Sequence, residues 1–183
     1  MIAPIHSARL TLRGLTPNDA AFIHRLVNDP DWLRYIGDRG IDTLEDAEAY
    51  IRSGPMAMYE AHGFGLLAVE PRAGGGPVGI CGLLQRDWLD DADLGFAFLP
   101  EARGRGYATE SAAAVIAHAR SKLGLSRIVA IVTEHNALSR RLLEKIGFEL
   151  EGTVQPPEAE GGVRPPEDVT EVLLYVLRPT PVP

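Results

Sequence analysis

The run Leu94-Gly-Phe-Ala-Phe-Leu-Pro-Glu-Ala-Arg-Gly-Arg-Gly-Tyr-Ala-Thr-Glu110 decides how this chain is read. An apolar strand ends at Pro100, a loop sets Gly104 and Gly106 beside Arg103 and Arg105, and a helix of small residues starts at once. Such a loop is an anion site. Glycine lets backbone approach a ligand, the first N–H groups of a helix have no partner within it, and the helix dipole favours negative charge. Each arginine adds charged donors whose hydrogen bonds contribute roughly 1.5–3 kcal/mol when well made. A phosphate or pyrophosphate is the fitting ligand. The P-loop signature is missing, and the lysines are Lys122 and Lys145 alone. A dinucleotide fingerprint follows the first strand of its fold, whereas Gly104 and Gly106 lie past the chain's midpoint.

Reading outward, Ala108, Ala112, Val115, Ile116 and Ala119 recur at helical spacing until Gly124, and residues 127–132 form a β-branched strand. Strand, helix and strand in succession make a βαβ crossover. Asn136 caps a further helix with Leu138, Leu142 and Ile146 on one face, and Gly147 with Phe148 makes its stop. Upstream the order is that of antiparallel hairpins. Residues 9–13 alternate as a strand, and Thr16, Pro17 and Asp19 open a helix that runs to about Asn28. Thr43 and Asp46 form a capping box for a second helix, which Gly54 and Pro55 are expected to stop. Residues 64–69 and 78–84 are apolar strands joined by a glycine-rich turn, and 171–178 is the last strand. The stretch 152–169, rich in Pro, Gly and Glu, reads as a loop.

Composition bounds the function. The chain has 183 residues, 45% of them apolar, with 18 basic and 25 acidic side chains for a net charge of −7. A globular chain able to bury a core is expected, with no repeat and no membrane span. The acidic balance disfavours nucleic acid as a partner. One cysteine, Cys81, in an apolar stretch, and a start without signal-peptide layout lead to the expectation of a reducing cytoplasm. The five histidines show no paired ligand spacing, so no metal site is expected.

Arg103-Gly-Arg-Gly-Tyr-Ala108 resembles the Arg/Gln-x-x-Gly-x-Gly/Ala motif of the GNAT superfamily of N-acetyltransferases, whose backbone amides hold the pyrophosphate of acetyl-CoA. Asp93-Leu-Gly-Phe-Ala-Phe98 is similar to that family's fourth strand, and Tyr107-Ala-Thr-Glu-Ser111 to the start of its third helix. Asn136-Ala-Leu-Ser-Arg-Arg-Leu-Leu-Glu-Lys-Ile-Gly-Phe148 resembles the Asn-x-x-Ser…Glu-Lys-x-Gly-Phe segment of the ribosomal-protein N-terminal acetyltransferase branch, called RimJ/RimL-like, as does the opening from Arg9 to Ala20.

The resemblance implies one α+β domain over residues 1–183, with a mixed, mostly antiparallel sheet splayed between its fourth and fifth strands and flanked by helices. It implies acetyl-CoA as co-substrate and no metal. Arg103, Gly104, Arg105, Gly106, Tyr107 and Ala108 would hold the pyrophosphate, Phe98 and Leu99 the pantetheine, and Asn136 would help hold the cofactor. Ser139 would protonate the departing thiolate, although many family members use a tyrosine there; a capping or solvent-facing hydroxyl is the other reading of Ser139. Asp93 and Glu134 are candidates for a water-relayed base, and both also read as plain surface or strand-edge acids.

The expected partners are acetyl-CoA and an amine, either a peptide N-terminus or a small cationic amine such as a polyamine, amino acid or aminoglycoside. A homodimer is admitted, and neither nucleic acid nor a membrane is expected. A non-catalytic acyl-CoA-binding module is the alternative to an enzyme. Residues 29–43 and 152–169 are the expected acceptor loops, with Trp32, Tyr35 and Trp88 as core or pocket wall. The net charge of −7 hints at a cationic acceptor.

Overall fold

The computed structural model describes residues 2–157, 166 and 169–179. Its strands are β1 (Ile5–His6), β2 (Leu10–Gly14), β3 (Leu66–Pro71), β4 (Gly79–Leu84), β5 (Asp93–Phe98), β6 (Ile128–Val132), β7 (Glu149–Val154) and β8 (Val172–Leu177). They form one eight-stranded sheet in the order β1-β2-β3-β4-β5-β6-β8-β7. Neighbours are antiparallel except β5 and β6, which are parallel. The helices are α1 (Ala20–Val27), α2 (Pro30–Tyr35), α3 (Leu44–Ile51), α4 (Ala57–His62), α5 (Tyr107–Lys122) and α6 (Ala137–Lys145). The mixed α/β fold expected from the sequence is what forms, and the short β1 makes the expected fourth and fifth strands β5 and β6.

Both faces of the central sheet are covered. Leu67 and Val69 of β3 pack with Ala112, Val115 and Ala119 of α5, while Leu66 and Ala68 pack with Ile23, Leu26, Ala47 and Ile51 of α1 and α3. This is why residues 64–69 and 78–84 read as nearly continuous apolar runs. Local signals place the helix ends. The Thr43 N–H donates to Asp46 Oδ2 (2.9 Å), and the Asp46 N–H returns a bond to Thr43 Oγ1 (3.1 Å). At the end of α6, the Phe148 N–H donates to the Leu143 carbonyl (3.0 Å) and the Gly147 N–H to that of Glu144 (3.1 Å), with Gly147 at φ 96°. That is a Schellman stop.

Three readings are corrected. Gly54 and Pro55 do not end the second helix; a π-helical turn, Arg52–Met56, carries it into α4, which stops at Gly63 (φ 74°). The wider turn accommodates a proline that has no N–H to give and whose ring would clash in a regular helix. The expected loop 29–43 begins with a helix, α2, because Asp29 Oδ1 accepts the Asp31 N–H (3.1 Å) and Pro30 occupies the first helical position. The expected loop 152–169 begins inside β7, a polar edge strand, and β8 inserts between β6 and β7. Residues 158–165, 167 and 168 of that loop lie outside the described residues.

Candidate active site

The parallel pair β5 and β6 meets at one register point, Asp93 opposite Val129, and the Val129 N–H donates to the Ala92 carbonyl (3.0 Å). Beyond that point the strands part. Main-chain groups of alternate strand residues face opposite edges. Ala92 faces β6, so Phe96 and Phe98 turn their main chain toward the gap, whereas the Leu99 N–H donates to the Val78 carbonyl on the β4 side (3.0 Å). The Leu99 N–H is thus engaged by β4 and its side chain is buried beside α1 and α3, while Phe96, not singled out in the sequence, turns its main chain toward the gap.

At the end of β5 the loop closes on α5. Gly104 (φ 73°) and Gly106 (φ 78°) are left-handed, and a Cβ at Gly104 would meet nothing within 4 Å. Gly106 caps α5 without a side chain, leaving the N–H groups of its first turn to a ligand. Gly104, Gly106, Tyr107 and Ala108 line a cavity of about 330 Å³ that also takes in Phe98 and Leu142.

Arg103 lines the same cavity. Its guanidinium is held by Asp29 and Asp31 at the start of α2, and its Nε donates to the Phe98 carbonyl (2.9 Å). With both carboxylates on it, Arg103 braces the loop rather than offering a free cation. Arg105 is exposed and lies outside the cavity lining, its carbonyl accepting from Arg9 Nη1 (3.0 Å). Arg9 also pairs with Glu110 (2.7 Å). Burial pushes the Glu110 carboxyl up, but bonds from the Ser7 hydroxyl and from the Arg9 N–H and guanidinium outweigh it and hold the group below the usual carboxylate range.

A second cavity, of about 190 Å³, opens on the other side of the gap against Arg39, Arg86, Trp88, Asp93 and Thr133. Trp32, Tyr35, Phe96, Ala97, Asn136 and Ser139 line both cavities, so they form the wall where the two meet. Asn136 Oδ1 accepts the Ser139 N–H (3.1 Å), which fixes the first turn of α6. The half-buried Ser139 hydroxyl makes no hydrogen bond among the described residues.

The two candidate bases separate. Asp93 is 1% exposed, lines the second cavity and pairs with Arg86 Nε (2.6 Å). Glu134 is exposed and lines neither cavity, because the chain has already left the sheet there and only its carbonyl is engaged, by Arg140. Glu134 thus stands on the surface, apart from both cavities. Arg39, Arg86 and Thr133 were not read from the sequence; isolated polar residues on separate elements leave no local pattern.

Residues 9–149 match the acetyltransferase (GNAT) domain family. The chain is 31% identical over 157 residues to the uncharacterised N-acetyltransferase YoaA of Bacillus subtilis (strain 168), covering 85% of this chain and 88% of that protein. The crystal structure of an acetyltransferase from Agrobacterium tumefaciens str. C58 superposes with a TM-score of 0.77 at 26% identity, over 97% of this chain and 95% of that one. RimL, a ribosomal L7/L12 α-N-protein acetyltransferase solved with coenzyme A, shares the fold at a TM-score of 0.77 and 18% identity, over 96% of this chain and 98% of its own. The chain belongs to the GNAT family of N-acetyltransferases. Among the described residues no helix is long and apolar enough to cross a membrane.

Proposed function

We propose that this acetyltransferase moves the acetyl group of acetyl-CoA directly to a primary amine while both substrates are bound, and that an α-amine is the favoured acceptor. The observation that carries this reading is the wall shared by the two cavities, where Phe96, Asn136 and Ser139 face both. Acetyl-CoA fits the larger cavity, with its pyrophosphate on the N–H groups after Gly104 and Gly106 and its pantetheine along the edge of β5 that faces the gap, at Phe96 and the Phe98 N–H. CoA bound to RimL, which shares the fold, supports that choice.

The amine nitrogen attacks the thioester carbon, the C–S bond breaks, and the thiolate takes a proton from the Ser139 hydroxyl. The proton that the amine sheds returns through solvent to Ser139. Asn136 is a positioning residue that holds the helix turn bearing the serine. This Asn136 and Ser139 pair supports a place in the RimJ/RimL-like branch.

An amine must be neutral to attack. With a pKa of roughly 8 an α-amine is about a tenth neutral at pH 7, against about one part in 10³ to 10⁴ for a lysine-type amine. A strong base is then unnecessary, which suits a second cavity where the one carboxylate of the described lining, Asp93, is ion-paired. The test is thiol release from acetyl-CoA over a panel of amines. Ser139→Ala should keep acetyl-CoA affinity and lose on the order of 10²-fold in kcat. Unchanged turnover would remove Ser139 from the mechanism, and no release with any amine would leave an acyl-CoA-binding module.

A further inference from the structure

Among the described residues four buried polar side-chain atoms have no hydrogen-bond partner: Trp32 Nε1, Arg39 Nε, Trp88 Nε1 and Thr133 Oγ1. All four belong to residues that line the second cavity. Buried donors left unpaired are costly, and folded proteins tolerate few, so their gathering around one cavity needs a cause. Three are N–H groups that can only donate, and the fourth is a hydroxyl that can. A molecule that fits this cavity brings acceptors.

The charges agree. The Arg39 guanidinium lies over the rings of Trp32 and Tyr50, 5.7 and 4.9 Å from their centroids, and forms no ion pair among the described residues. The one carboxylate of the described lining, Asp93, is held by Arg86. Two guanidiniums against one carboxylate leave that lining net positive, inside a chain of net charge −7. A polyamine would repel Arg39 and leave every donor unpaired.

We infer that the acceptor carries a carboxylate as well as its amine, as a small amino-acid-like molecule does, and that Arg39 with the Trp32 and Trp88 indoles receives that carboxylate while the amine reaches the Ser139 wall. The planar guanidinium fork matches a carboxylate. This rests on the transferase reading and replaces the cationic acceptor that net charge suggested. Trp32 and Trp88 are the chain's only tryptophans, so intrinsic fluorescence reports directly on this cavity.

The experiment titrates the full chain, with coenzyme A present, using the N-acetylated proteinogenic amino acids and their primary amides. The expected result is a saturable fluorescence change for one or more acids, at least tenfold weaker for the matching amide. Arg39→Gln should erase that difference, Arg39→Lys should retain part of it, and thermal unfolding of each variant reads its fold. No saturable change with any acid, amides bound as tightly as acids, an undiminished preference in folded Arg39→Gln, or binding of phosphoethanolamine in place of the acids would each overturn the inference. Acetylation restricted to amines without a carboxylate would overturn it and keep the transferase reading. Saturable acid binding without thiol release from acetyl-CoA would overturn the transferase reading and keep only the carboxylate site.

Discussion

Cys81 is 0% exposed in β4, and burial pushes its thiol up to about 12 despite a bond with Ser111. A thiol reagent added to the native protein at pH 8 should therefore label nothing, and one thiol per chain should appear on denaturation. Absorbance with an aromatic disulfide measures this; prompt labelling of folded protein would show the thiol to be accessible. The same burial means that thiol release in the transferase assay reports coenzyme A alone. Residues whose roles are local could be read in advance: Asn136 and Ser139 are three positions apart and bonded to one another. Arg103 could not, because its partners Asp29 and Asp31 lie 74 and 72 positions away and the loop motif says nothing of them. Arg39 escaped because an isolated arginine in a loop leaves no local pattern, whereas Trp32 had been read as core or pocket wall and lines both cavities.

At six residues, α2 is too short to hold itself, so its place depends on Asp29, Asp31 and the burial of Trp32. Arg103 ties it to the cofactor loop. Arg103→Gln should lower stability by roughly 1–3 kcal/mol in urea titration, most of it through Asp29, which is 8% exposed and would keep a buried charge without its partner. Because α2 supplies Trp32 and Tyr35 to both cavities, KM should rise for acetyl-CoA and for the amine together. A rise for only one substrate would mean that α2 stays in place without the strap. Long periodic elements such as α5 were legible, as were caps and the Schellman stop. The π turn was not, since proline inside a helix normally signals an end, and β7 was not, since a polar edge strand has no buried face to alternate.

Of two depressed carboxylates, Asp19 ties β2 to the turn that follows it and Glu110 joins distant parts of the chain. Burial raises Asp19, but bonds from the Arg13 guanidinium and the Thr16 N–H outweigh it and lower its pKa; Glu110, lowered by Ser7 and Arg9, ties the N-terminal strands to α5. A carboxyl depressed in the folded state contributes stability above its unfolded pKa and loses it as pH falls through the folded one. Stability should hold from neutrality to about pH 5 and fall below about pH 4, where unfolded Asp and Glu take up protons. Urea midpoints against pH measure this, and Arg13→Gln should flatten the fall; a midpoint that rises on acidification would contradict it. Net charge is a property of the whole chain and does not report the local sign, which is positive over the described residues that line the second cavity. The central claim, that acetyl-CoA lies on the Gly104 loop and along the open edge of β5, is tested by calorimetric titration of acetyl-CoA into the native chain and Gly104→Asp. Asp is among the few residues that enter the left-handed region and its Cβ meets nothing within 4 Å, so the variant should fold at a cost in backbone strain and set a carboxylate against the pyrophosphate. The expected result is saturable binding to the native chain at one site, weakened at least tenfold in Gly104→Asp. No saturable binding to the native chain, or equal affinity in the two, would contradict it.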